Sequence, residues 1–143
     1  MNRKIAFVVV VVALAAAGVV LASQILSNRD ADAKDALIAP YKDAANTFPV
    51  PPGAAPSMPD TPTTEKRGIV KGWTSTGTVD DACTVWRDAY RNWVGVTGAQ
   101  TIAGEYSPGQ SCSYTSPKGS FTAKLTVAIY ADPRPQVTLT VTE

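Results

Sequence analysis

The chain contains no histidine. That absence removes the usual general base at neutral pH, the usual partner of a serine nucleophile and the commonest metal ligand. Charge of either sign is scarce in excess: 13 basic residues face 12 acidic ones, so no electrostatic case exists for nucleic acid as a partner. The Gly-rich stretch from Gly95 to Gly109 lacks a Gly-Lys-Ser/Thr phosphate loop, and no strand directly precedes it. No Asn-x-Ser/Thr acceptor and no internal repeat occurs, and Ser111 and Ser113 lie in no nucleophile-elbow pattern. No cofactor and no metal is expected from these residues.

What the chain does have, at its start, is a long apolar run. Asn2, Arg3 and Lys4 precede 18 residues from Ile5 to Ala22 without a charge (IAFVVVVVALAAAGVVLA), or 22 when Ser23 to Leu26 are included. A bilayer span takes roughly 20 residues, whereas a signal-peptide apolar region takes roughly 7–15. Residues 5–26 are therefore expected to form a transmembrane signal anchor, with residues 1–4 as its cytoplasmic flank. The stretch after it, NRDADAKD, carries three Asp against Arg29 and Lys34, so the positive flank predicts an extracytoplasmic C-terminal part. The alternative is cleavage near Ala22, ahead of Ser23, which releases a secreted protein. No cysteine stands near this position, which excludes a lipid-modified one.

Residues 27–48 are polar with a weak helical stripe of Leu37, Ile38, Tyr41, Ala45 and Phe48, interrupted by Pro40. They are expected to be a juxtamembrane stalk. Residues 49–66 hold six prolines, at positions 49, 51, 52, 56, 59 and 62. That density suppresses helix and sheet and predicts an extended linker.

Residues 67–143 have the composition of a small extracytoplasmic α+β domain. A first strand (GIVKGWTS) leads to a helix that starts at Thr78, with Asp81 three residues on as in a capping box. Val79, Ala82, Cys83, Trp86, Ala89, Tyr90 and Trp93 recur with helical period, and Gly95 and Gly98 end the pattern. SCSYTS, FTAKLTVAIY and QVTLTVT then alternate as strands, and a further short strand around Thr101 to Tyr106 fits. The expected fold is one helix on an antiparallel sheet of about four strands, in the order β-α-β-β-β. Cys83 on the buried helix face and Cys112 at a strand start are expected to form a disulfide, since the compartment is oxidising and so small a core is marginal.

Candidate sites are few. Asp80 and Asp81 fall in the first helical turn, where they complement the helix dipole, and Glu105 has no identifiable carboxylate partner. Trp86, Tyr90 and Trp93 belong to the apolar helix face, while periodicity leaves Trp73, Tyr106, Tyr114 and Tyr130 undecided. The outward strand faces are rich in Thr, and Thr122, Lys124, Tyr130, Thr138 and Thr140 are the candidate partner-binding residues, fit for a glycan or a peptide laid along the sheet. The layout of anchor, Pro-rich tether and small disulfide-closed domain resembles accessory envelope proteins of Gram-positive bacteria and their phages. From the apolar run, the missing histidines and the unpaired acids, the expected function is a non-enzymatic, membrane-anchored interaction module with a protein or cell-wall partner. A secreted inhibitor or effector is the alternative, and a cell-wall-acting enzyme using Glu105 stands third.

Overall fold

The computed structural model describes residues 29–97 and 100–143. The expected anchor, residues 5–26, lies outside the described residues, as does Gly98. Among the described residues no helix is long and apolar enough to cross a membrane.

Residues 29–46 are helical (α1), and a compact unit runs from Ile38 to Glu143. Within that unit follow β1 (Ala55–Pro62), β2 (Gly68–Thr74), α2 (Val79–Val94), β3 (Ala103–Ser107), β4 (Ser111–Lys118), β5 (Phe121–Ala128) and β6 (Gln136–Thr142). The strands form one antiparallel sheet in the order β1-β2-β6-β5-β4-β3. The α+β class and the antiparallel sheet hold, but the sheet has six strands where four were expected.

The largest correction is β1, which arises inside the segment expected to be a linker. Prolines cannot donate to a ladder, so they are confined to edges and bulges, and β1 is an edge with both. Ala55 pairs with Thr74 and Pro62 with Ile69, so eight residues of β1 span six of β2, with register shifts between Pro56 and Met58 and between Met58 and Thr61. An ion pair from Lys71 on β2 to Asp60, at 3.2 Å, adds to that pairing.

The second correction is at Pro40. The helix continues through it, and the stripe beyond it is not a stalk surface: Tyr41, Ala45 and Phe48 are buried in the main core. An interior proline costs a helix about 3 kcal/mol, and burial of two aromatic side chains in the following turns offsets that cost. The Phe48 ring stacks on Trp86 at 5.9 Å, meets Trp93 edge-on at 5.4 Å and lies 5.9 Å from Trp73. Tyr41 packs on Phe121 of β5 at 5.1 Å.

Helix α2 forms as its sequence dictates. The Thr78 side chain accepts from the Asp81 N–H at 3.2 Å while the Asp81 carboxylate accepts from the Thr78 N–H at 3.4 Å, completing the capping box. At the other end Gly95 takes the left-handed conformation, φ 81°, which a side chain would oppose. Lys118 of β4 donates to the Trp93 carbonyl and sits 5.1 Å from the Trp93 ring centre, a cation at the helix C-terminus. Val79, Ala82, Cys83, Trp86, Tyr90 and Trp93 are buried against β4, β5 and their neighbours.

The polar ends of the buried aromatics are satisfied, as burial requires. Tyr90 donates to the Ala123 carbonyl at 2.6 Å, Trp86 Nε1 to Ser75 Oγ at 3.0 Å and Trp93 Nε1 to Thr47 Oγ1 at 2.8 Å. The Cys83–Cys112 disulfide is present, with Cα atoms 6.0 Å apart, and ties α2 to β4.

Candidate functional site

The strands present two chemically different faces because side chains alternate along each of them. On the helix side Ile69, Trp73, Cys112, Ala123, Leu125, Val127, Val137, Leu139 and Val141 are buried together. On the opposite face the register brings hydroxyls into rows. Thr122 pairs with Thr142, Lys124 with Thr140 and Thr126 with Thr138. The rows continue onto β4, where Thr115 pairs with Lys124 and Ser113 with Thr126. Onto β2, Thr140 pairs with Val70 and Thr138 with Gly72. Four of the five candidate residues, Thr122, Lys124, Thr138 and Thr140, therefore share one patch.

Tyr130 does not join them. β5 ends at Ala128, and the Ile129 N–H turns to the Gln110 carbonyl at 3.3 Å. Tyr130 then sits in the connection to β6, 66% exposed, beside Asp132, Arg134, Gln136 and Thr74 around a groove of about 560 Å³. The Arg134 guanidinium holds the Asp132 carboxyl down at about 2.

Two grooves shape the hydroxyl face itself. The β1–β2 connection folds over it, so that Thr63, Thr64, Glu65 and Lys66 enclose about 370 Å³ above Val70, Thr140 and Thr142. At the β3 side Glu105, Ser113, Thr115 and Lys124 line a second groove of about 320 Å³. Glu105 thus stands opposite Ser113 with Lys124 across the groove, and no second carboxylate lines it among the described residues. This arrangement offers donors and acceptors in rows, suited to a polar chain lying across the strands.

On the helix side Asp80 is occupied by structure. Its carboxylate accepts from Tyr106 OH at 2.8 Å and from the Gly109 N–H at 2.9 Å. The Gly109 bond first, and then the Tyr106 bond, hold the Asp80 carboxyl below its ordinary value, and the bond to Asp80 pushes the Tyr106 phenol up. Burial pushes the Tyr90 phenol far up, consistent with a core role. Trp73 also joins the core.

Sequence reasoning missed two parts of the surface. The Ser113–Thr115 extension is written in the alternation of SCSYTSPK, once β4 is aligned with β5. The capping loop 63–66 gave no signal, because it becomes a wall only when β1 pairs with β2. No family model, no curated protein and no solved structure matches this chain.

Proposed function

We propose that the chain is a non-enzymatic interaction module, anchored in a membrane by residues 5–26, that offers its hydroxyl-rich sheet face to a protein or cell-wall partner outside the cytoplasm. The observation that carries this reading is the face itself: contiguous Thr and Ser rows on β6, β5 and β4, bordered by Val70 and Gly72 of β2, with a groove walled by residues 63–66 over Thr140. The uninterrupted apolar run at the start supports the anchor, and the absence of histidine together with the lone Glu105 supports a binding role over hydrolysis.

The test uses the full chain with a tag after Glu143 and a photoreactive residue at Thr140 or, as a control on the exposed side of α2, at Val85. An uncleaved, carbonate-resistant species whose tag is open to protease from outside is the expected result, with crosslinks from position 140 and few from position 85. A soluble species beginning near Ser23 replaces the anchor with the secreted alternative. Equal crosslinking from both positions removes the sheet face as the binding surface.

A further inference from the structure

A second recess lies on the other side of the sheet, independent of the hydroxyl face. α2 packs on β4 and β5, and β3 lies next outward in the sheet beside β4. Cys83, Thr84 and Arg87 of α2 and Tyr106 and Tyr114 of the β3–β4 hairpin enclose about 370 Å³ there.

The walls of this cleft are held in place. The Tyr114 ring lies across Gly104, where a Cβ would approach its Cδ1 to 2.6 Å, and it neighbours the Tyr90 ring at 6.4 Å. The Tyr106 ring is 55% exposed, yet its hydroxyl is fixed on Asp80. The disulfide fixes the helix to the strand at the cleft floor. Two immobilised aromatic rings beside an arginine form a recess that pays little further ordering entropy when a ligand enters.

Charge narrows the ligand. Arg87 uses Nε on Asp88 at 3.2 Å, which leaves the terminal nitrogens of the guanidinium for a ligand. Thr84 Oγ1 donates to the Asp80 carbonyl at 3.1 Å, so its proton is committed and Arg87 is the donor the cleft offers an anionic group. One guanidinium edge suits the two oxygens of a carboxylate, and flat rings suit a planar apolar body. Asp80 and Asp88 at the rim disfavour a doubly charged anion such as phosphate.

We propose that the cleft between α2 and the β3–β4 hairpin binds an aromatic monocarboxylate, held by Arg87 and sandwiched against Tyr106 and Tyr114. The carboxylate belongs to a free aromatic acid or to the C-terminal aromatic residue of a peptide.

The test titrates the full, isotopically labelled chain in detergent micelles with benzoate and with benzamide as its neutral counterpart. Saturable shifts at Thr84, Arg87, Tyr106 and Tyr114 with benzoate, and none at equal benzamide, are expected. Arg87→Gln should weaken benzoate by about tenfold or more, as loss of a charge-assisted bond does, while Asp88→Asn should tighten it by about threefold. A tetrapeptide ending in free tyrosine, compared with its C-terminal amide, separates the sources: tighter binding than benzoate assigns a peptide terminus, weaker binding a free acid. Equal response to benzoate and benzamide, or no saturable shift at these residues, overturns the proposal without reference to any variant.

Discussion

The centre and the edges of this sheet are built by different rules. In β6, seven residues pair with β2 and with β5 in unbroken register, and Val137, Leu139 and Val141 are fully buried while the Thr between them are not. In the edge strands β1 and β3 every residue is exposed. The centre is specified by burial, since a one-residue slip would turn its apolar set to the outside. The edges are specified by attachment. β1 is placed by bulged pairing and the Lys71–Asp60 ion pair, β3 by the hairpin and the Asp80 bonds to Tyr106 and Gly109. Strand identity thus comes from two sources, and only one of them leaves a repeating pattern in the chain.

The contrast breaks if truncating an edge costs as much as truncating the centre. Leu139→Ala in β6 removes a side chain with no exposure and should lower stability by about 2–5 kcal/mol, read from urea denaturation at constant slope. Met58→Ala in β1 truncates a side chain that covers Gly72 from the open face and is 37% exposed. It should cost under about 1 kcal/mol, as partial burial of a few methylenes implies. Equal losses at the two positions would show that β1 is a core strand in energetic terms.

That division explains how much could be read in advance. The strict alternation of FTAKLTVAIY and QVTLTVT gave the central strands, and the helical period with Thr78 and Gly95 at its ends gave α2. The disulfide followed from where those two elements place Cys83 and Cys112. APSMPDTP has no alternation to read, and its prolines argue against a strand unless an edge is available to receive them. Pro40 concealed the contribution of Tyr41, Ala45 and Phe48 because its local penalty is visible in the sequence and the tertiary burial that offsets it is not. The open face was legible as parity along β5 and β6, and Tyr130 was misplaced because parity says nothing about where a strand ends. The cleft residues Arg87, Tyr106 and Tyr114 come from elements joined only by folding, so no spacing could have gathered them.

Between centre and edge stands the disulfide, on the strand that separates β5 from β3. It closes a loop of 29 residues, and losing that constraint on the unfolded chain should cost about 3–4 kcal/mol. The paired change Cys83→Ser with Cys112→Ser is the cleaner measurement, since a single change leaves a free thiol. Hydrogen exchange adds the location: protection is expected to fall in α2 and the β3–β4 hairpin before β6 loses any. Uniform loss across all six strands would mean that the bond serves the centre as much as the flank, and the distinction between them would then blur.

The smallest expected effect lies at the β3 edge and depends on pH. The Asp80 carboxyl is held below its ordinary value of 3.8 by the Gly109 N–H and the Tyr106 hydroxyl. A lowered folded value means that the ionised form stabilises the fold above the ordinary carboxylate range, and that this contribution is lost as pH falls through the lower value. Asp80→Asn retains an oxygen that can accept both bonds but removes the charge, including its favourable place in the first turn of α2. The variant should therefore be slightly less stable than the parent at pH 7, with the gap closing as the buffer is taken below pH 3.8 towards the lower value. Asp132, which also titrates low, is common to both proteins and cancels in the difference. A gap that stays constant with pH would mean that charge at Asp80 is irrelevant and that hydrogen-bond geometry alone attaches the hairpin. In that case the edge is held as the centre is, by shape, and Tyr106 would remain in place over the cleft in acid as well as at neutral pH.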